Sequence, residues 1–323
     1  MQERDLRGAT VVLTGASSGI GRAAAIAFAR AGANLVLASR RDAALREVAA
    51  ECEPFGVETL VVPTDVTSAD AMHDLAESAF ARFGAIDVWI NNAGVGAVGP
   101  FTDTPAEAHE QVIRTNLIGH LHGAHAVLPY FQSQRSGVLI NTISVGGWAP
   151  APYAVAYSAS KFGLRGFSEA LRGELTRWPG IHVCDVFPAF IDTPGLRHGA
   201  NYIGKLIKPL PPLYDPQRVA NAMVSLARRP RRSVTVGGAA TVIRLGHFLA
   251  PGLTTWMMGR LTESYFRRAQ PVPRTHGNLF EPPPQGGGIY GGFRSPALRR
   301  AVPAAGVLLL AGTALALYLQ RRR

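Results

Sequence analysis

Short apolar, β-branched runs alternate along the first 240 positions with stretches whose alanines and leucines recur at helical spacing. The runs predict strands at residues 9–13, 34–38, 58–62, 87–90, 138–141, 181–187 and 233–236. Between them, helices are predicted at 22–30, 42–52, 68–82 (with Ser68 as N-cap), most of 106–131, 157–178 and 215–227. Runs that are apolar throughout suit strands buried on both faces. Repeated βα units with short connections predict an α/β fold built on a doubly wound parallel sheet, with ligands at the carboxyl ends of the strands.

Beyond residue 239 the pattern changes. Residues 240–268 place Phe248, Leu249, Trp256, Met257 and Leu261 among Arg244, Arg260, Arg267 and Arg268, with a break at Pro251. Two short amphipathic helices are expected, lying in a membrane interface or packed on the first domain or across a dimer. Residues 270–298 hold six prolines and six glycines, a linker composition. Residues 301–320 then run without a charge between Arg299-Arg300 and Arg321-Arg322-Arg323. At helical rise such a run is about 30 Å long, enough to cross a bilayer, and predicts a transmembrane tail anchor. Basic residues on both flanks leave its orientation open. The expected organisation is a catalytic domain at 1–239, a helical extension at 240–268, a linker at 269–298 and the tail at 299–323.

Charge sharpens this division. The net charge of +11 suggests a nucleic-acid binder until it is mapped. The first 227 residues carry 18 Lys+Arg against 20 Asp+Glu, whereas 228–268 carry eight arginines against one glutamate and 294–323 six arginines and no acid. Basicity that flanks the most hydrophobic segments fits anionic lipid and not nucleic acid. The two cysteines, Cys52 and Cys184, lack metal-ligand or redox spacing, so no metal site and no disulfide are expected. Residues 1–8 are polar and charged, so no secretory signal is expected.

Candidate chemistry lies at the predicted strand ends. The first strand runs into Thr14-Gly15-Ala16-Ser17-Ser18-Gly19-Ile20-Gly21 and then a helix, the geometry in which backbone N–H groups receive a pyrophosphate. The second ends at Ser39-Arg40-Arg41, where an arginine accommodates the 2′-phosphate of NADP and an acid would bind the ribose of NAD. Tyr157 and Lys161, four apart on a predicted helix, share a face at a spacing of about 6 Å along the axis. A phenol with a pKa near ~10 becomes a usable acid/base at neutral pH beside a cation that favours its phenolate. Ser144, at the end of the fifth strand, is placed to hold a substrate oxygen beside that phenol.

Together, Thr14-Gly15-x-x-x-Gly19-Ile20-Gly21, Asp65, Asn91-Asn92-Ala93-Gly94, Asn116, Ser144 and Tyr157-x-x-x-Lys161 resemble the short-chain dehydrogenase/reductase family over residues of roughly 8–238. The resemblance implies a Rossmann fold with Tyr157 as general acid/base and Lys161 lowering its pKa and binding the nicotinamide ribose. It implies that Ser144 orients the substrate oxygen and that Asn116 holds a water relaying protons to Lys161. Gly15, Ser17, Ser18, Gly19, Ile20, Gly21 and Arg40 would bind NADP(H), with Asp65 and Val66 flanking the adenine and Asn91, Ala93 and Gly94 beside the cofactor. Pro188, Ile191 and Thr193 would contact the carboxamide, although Ala189 stands where the family usually has glycine. Residues 196–214 would form a lid, rich in apolar residues and lacking acids, which favours a small lipophilic carbonyl or alcohol substrate. The family also implies a homodimer or tetramer through the helices that hold Asn116 and Tyr157.

The function expected from this reading is an NADP-dependent oxidoreductase moving a hydride between the nicotinamide and a carbonyl/alcohol pair, anchored to a membrane with its catalytic domain in the cytosol. A membrane-tethered NADPH-binding sensor or scaffold is the rival of a different class, and it has no use for the full Ser144, Tyr157, Lys161 and Asn116 set. Dehydration or epimerisation on the same fold is the rival among enzymes.

Overall fold

The computed structural model describes residues 3–209, 211–283 and 287–294. The predicted tail anchor falls outside them. Among the described residues, no helix is long and apolar enough to cross a membrane.

Seven parallel strands form the main sheet: β1 (Thr10–Thr14), β2 (Asn34–Ser39), β3 (Thr59–Pro63), β4 (Val88–Asn91), β6 (Gly137–Thr142), β7 (Ile181–Pro188) and β9 (Ser233–Val236). Their spatial order is β3-β2-β1-β4-β6-β7-β9. The order reverses between β1 and β4, and a crevice opens there at the carboxyl ends of the strands. The short strands β5 (Ala97–Val98) and β8 (Ala200–Asn201) pair separately beside that crevice. Both faces of the sheet are covered, so β1 is buried at every position, as its unbroken apolar sequence requires.

Helices α1 (Gly19–Arg30), α2 (Asp42–Cys52) and α8 (Pro216–Arg228) cover one face around a core of Phe28, Leu35, Leu45 and Met223. The other face is covered by α3 (Ala69–Phe83), α5 (Gly119–Gln134) and α6 (Val155–Glu174), around Met72, Trp89, Phe131 and Leu139. The predicted cap at Ser68 forms, its hydroxyl accepting from the Ala71 N–H at 3.2 Å, and the Asp215 side chain caps α8 by accepting from the Gln217 N–H at 2.9 Å. The predicted long helix at 106–131 is interrupted. Between α4 (Ala106–Ile113) and α5 the chain widens into a π-helical turn, Arg114–Ile118, with Asn116 fully buried in it. Such turns add a residue to the helix and re-aim its side chains, which periodicity in sequence does not reveal.

The break predicted at Pro251 separates α9 (Gly238–Leu249) from α10 (Pro251–Arg268). Their inner faces dock on the catalytic body. Ala240 is buried against Val145 and Ala189, and the Trp148 ring lies between the guanidinium groups of Arg165 and Arg244, at 3.8 and 4.0 Å from its centroid. Phe266 is buried beside Tyr153, and the Tyr265 hydroxyl donates to the Leu206 carbonyl at 2.7 Å. Their outer faces stay bare, with Phe248 80% and Trp256 63% exposed.

The Pro/Gly-rich stretch differs from the linker that composition predicts. It lacks regular secondary structure among the described residues, yet it lies against the catalytic body. Leu279 is fully buried, Ile289 packs on the core, and the Asp192 carboxylate accepts from the Phe293 and Arg294 N–H groups at 3.0 and 3.2 Å. Close backbone approach, not freedom of motion, explains its glycines: a Cβ on Gly291 would stand 2.4 Å from the Thr193 carbonyl oxygen.

Strand β7, which delivers the Pro188–Thr193 loop to the crevice, is tied to α6 by a buried ion pair. Arg172 pairs with Asp185, which is 2% exposed, and also donates to the Val183 and Arg232 carbonyls at 2.9 Å each. Burial raises the Asp185 pKa, with Arg172 opposing. Arg172→Met strands a carboxylate in the core and should cost about 3–5 kcal/mol in urea unfolding. Adding Asp185→Leu should recover most of that loss.

Candidate active site

The glycine turn after β1 requires its residue types. Gly15 and Gly19 adopt φ of 68° and 55°, and a Cβ on Gly21 would stand 2.0 Å from the Gly15 carbonyl oxygen. The turn carries Ser17, Ser18, Gly19, Ile20 and Gly21 into the start of α1, where the first N–H groups of a helix lack intrahelical partners. Arg22 N–H bonds the Ser18 carbonyl and Gly19 N–H is taken from outside the helix; among the described residues the amides of Ile20 and Gly21 have no acceptor, and they stand at the helix's positive end, where an anion binds.

Arg40 stands at the end of β2 on the same cleft, and Asp65, Val66, Ala93, Gly94 and Thr193 line it with the turn. The Asp65 carboxylate accepts from the Thr67 N–H and hydroxyl at 2.9 and 2.8 Å, which fixes the loop after β3. Asn91 is placed differently from its neighbours. Its side chain is spent inside the sheet, accepting from the Trp89 indole at 2.8 Å and donating to Asn141 and the His120 carbonyl at 3.0 Å each. Of that motif, Asn92, Ala93 and Gly94 reach the cleft. Pro188 closes β7 and Ile191 is buried, bridged to Tyr214, so both support the loop that sends Thr193 into the cleft.

Tyr157, Lys161 and Ser144 come together beside that lining and not within it; Val95, which lines the cleft, packs against the same apolar cluster as Tyr157. Lys161 is 4% exposed and donates to the Thr142 carbonyl at 3.0 Å, with its nitrogen 5.8 Å from the Tyr157 ring centroid. An ammonium has three hydrogens. Two therefore remain for a ligand's hydroxyls. Ser144 sits at φ 136°, a region costly for a residue with a Cβ, and such strain persists where surrounding structure imposes it. Its hydroxyl accepts from the Gly146 N–H at 3.1 Å, and it stands beside the Tyr157 phenol, whose charged form it favours.

The electrostatics depart from the expectation that Lys161 lowers the Tyr157 pKa. Burial raises the phenol, opposed by the hydrogen bond from Ser144. Burial also pulls Lys161 from 10.5 down to about 7. Desolvation outweighs the attraction between phenolate and ammonium, because both charged forms lose water together.

Asn116 braces the cleft wall. Its amide accepts from the Val95 N–H at 2.8 Å and donates to the Val95 carbonyl at 2.9 Å and the Ser160 hydroxyl at 3.3 Å. His120, four residues on, escapes the sequence reading. It is 1% exposed, its Nε2 bonds the Ala93 carbonyl at 3.0 Å, and burial followed by the Lys161 charge pushes it down to about 3. It is a neutral strut. The i, i+4 step from Asn116 was the available signal.

A lysine whose pKa is lowered by burial destabilises the fold wherever it must be charged in the unfolded chain. That cost is greatest below about pH 7 and shrinks as pH rises toward 10.5, the unfolded value. Lys161→Met should therefore raise the urea midpoint, more at pH 6 than at pH 8.5. Equal midpoints at the two pH values would remove the buried-cation account.

Comparison with known proteins agrees with this geometry. Residues 9–200 match the profile of the short chain dehydrogenase family. The uncharacterized oxidoreductase YxnA of Bacillus subtilis is 31% identical over 284 residues, spanning 86% of this chain and 79% of its own. Among solved structures, an alcohol dehydrogenase from the archaeon Thermococcus sibiricus, complexed with 5-hydroxy-NADP, superposes with a TM-score of 0.62 at 27% identity, covering 71% of this chain and 95% of its own. A metagenomic short-chain oxidoreductase in complex with NADP gives 0.62 at 29%, covering 72% and 98%. With the parallel sheet, the glycine turn and the Ser144-Tyr157-Lys161 cluster in place, the chain belongs to the short-chain dehydrogenase/reductase family.

Proposed function

We propose that the protein is an NADP(H)-dependent oxidoreductase acting on a carbonyl/alcohol pair of a small lipophilic substrate, held at a membrane by its C-terminal tail. The observation that carries the chemistry is the convergence of the Ser144 hydroxyl, the Tyr157 phenol and the buried Lys161 ammonium, with Val95 and Asn116 linking them to the cleft lined by the glycine turn and Arg40. The residues fit a dinucleotide: free amides for phosphates, an arginine where a 2′-phosphate belongs, and unspent ammonium hydrogens for ribose hydroxyls. When bound, NADP(H) supplies or accepts the hydride.

Each protein group then has a separate task. Ser144, locked by Gly146, orients the substrate oxygen. Tyr157 gives that oxygen a proton in reduction and takes it back in oxidation. Hydrogen bonds from Lys161 to ligand hydroxyls favour its charged form, and the restored cation eases ionisation of the phenol. The Asn116 side chain is fully engaged, so a proton relay to Lys161 through a held water would use its backbone carbonyl.

Apolar surroundings support a lipophilic substrate. Tyr157, Val95 and Ile113 pack against one apolar cluster that includes Ala156 and, from the 196–214 lid, Ala200 and Tyr202. Tethering is supported by the uncharged 301–320 run with its arginine flanks and by the bare faces of α9 and α10. The organisation into a catalytic body at 1–239, docked helices at 240–268 and a tail at 299–323 follows from the same reading, as do cytosolic orientation and a homodimer.

Tyr157→Phe should lower turnover of a medium-chain ketone by at least a thousandfold while NADPH still binds; near-normal turnover would end the acid/base assignment. Arg40→Ser should cost NADPH roughly tenfold or more in kcat/KM and leave NADH nearly unchanged, since one charge-assisted contact to phosphate is worth about 1.5–3 kcal/mol. The full chain should float with vesicles and resist extraction at high pH, whereas a chain ending at residue 298 should be released.

A further inference from the structure

The residues after α10 return to the cleft instead of leaving it. Residues 275–279 are anchored beside β8: the Thr275 N–H donates to the Asn201 carbonyl at 2.9 Å, the Asn278 N–H to the His198 carbonyl at 2.7 Å, and Leu279 is buried among Ala108, Val112 and Tyr202. Residues 293–294 are anchored on the far side, where Asp192 holds their N–H groups and the Arg294 guanidinium pairs with Asp215 at 2.9 Å.

Between the anchors, backbone carbonyls meet the cationic and N–H groups of the cleft in sequence. Arg40 donates to the Asn278 and Phe280 carbonyls at 2.8 and 2.7 Å, Arg41 to the Pro283 carbonyl at 3.3 Å, and the Gly19 N–H to the Gly288 carbonyl at 3.0 Å. Asn278, Pro282 and Pro283 line the cleft itself. The Asn278 side-chain oxygen is buried there with no hydrogen-bond partner among the described residues, and a buried acceptor left unpaired costs about 1–3 kcal/mol.

We propose that this C-terminal strap is a built part of the dinucleotide site: it forms the outer wall of the adenosine end, holds the Arg40 guanidinium in place through two carbonyls, and offers the Asn278 amide to the adenosine ribose. The inference rests on the NADP(H) reading. A guanidinium has five N–H donors, so two carbonyls can orient it and leave others for a phosphate. The Ile20 and Gly21 amides stay open for the pyrophosphate although Gly19 is taken. A dinucleotide bound beneath an anchored strap leaves only when an anchor opens, and discrimination by Arg40 depends on residues from outside the 9–200 family match.

The test uses full-length protein and stopped-flow displacement of NADPH, followed by its fluorescence. Leu279→Ser loosens one anchor and Arg294→Ala the other. Each should raise the NADPH dissociation rate at least tenfold and lower the ratio of NADPH to NADH affinity several-fold; Asn278→Ala should weaken both dinucleotides. A merely structural strap would shift the urea midpoint without moving that ratio. Wild-type protein gives a second readout, because NADPH should slow tryptic cleavage at the exposed Arg274–Thr275 bond. Faster NADPH loading in the variants with unchanged dissociation, or faster cleavage on adding NADPH, would make the strap a competitor and overturn the proposal. An unchanged affinity ratio in all three variants would overturn it as well. Failure of the wild type to bind either dinucleotide would instead remove the cofactor reading on which it stands.

Discussion

A lysine ammonium buried at the end of a parallel sheet is the constraint around which this molecule is arranged. Among the described residues Lys161 donates to the Thr142 carbonyl at the last residue of β6, stands near the Tyr157 ring, and is otherwise walled in. Burying a cation without a countercharge is costly, and the fold carries that cost by letting the pKa fall to about 7. Everything near it is arranged to tolerate the charge when it comes. His120 stays neutral beside it, its pKa held down by burial and then by the Lys161 charge. A carboxylate partner would hold the ammonium charged, but it would spend hydrogens that a ligand's hydroxyls need.

The topology makes that arrangement inexpensive elsewhere. Because β1, β4, β6 and β7 are parallel and adjacent, their carboxyl ends deliver the glycine turn, Asn92-Ala93-Gly94, Ser144 and the Pro188–Thr193 loop to one edge. Only α6 has to bring Tyr157 and Lys161 across to meet them. The register is secured from behind by polar groups with complete partners: Asn91 to Asn141, Asn141 to the Ser168 hydroxyl at 3.0 Å, and Asn116 to both backbone groups of Val95. Buried polar networks of this kind rigidify a core when every member is satisfied. They explain why loops at the strand ends can hold a strained Ser144 without collapsing around it.

Much of this was legible in the residues. Short apolar, β-branched runs mark the strands and Ser68 stands where a helix begins, so the alternation and the parallel sheet follow from pattern alone. The tyrosine, lysine and serine are likewise visible, because the four-residue step and a position at a strand end are local facts. The pKa relationship within that cluster was not. A cation one turn from a phenol suggests a lowered phenol pKa in a solvated setting, whereas the folded cleft desolvates both groups and the burial term dominates. Asn91 and His120 were hidden for a related reason: which of two neighbouring asparagines points into the sheet, and which helix position faces Lys161, depend on strand register and on the π-turn at Arg114–Ile118. Neither has a signature in one sequence.

The stretch after residue 269 shows most clearly where composition misleads. Prolines and glycines were read as slack because they disfavour helices and strands. In the structure they serve an extended chain that must lie flat on another surface. Gly277, at φ 54°, passes the His198 carbonyl where a Cβ would stand at 2.2 Å, and Gly291 does the same over Thr193. A chain with neither helix nor sheet must still find partners for its carbonyls. Here it finds them on Arg40, Arg41 and the Gly19 N–H. Donors on the cleft and carbonyls of a segment without regular structure supply complementary halves of these hydrogen bonds, and that complementarity holds the described residues of the segment against the cleft.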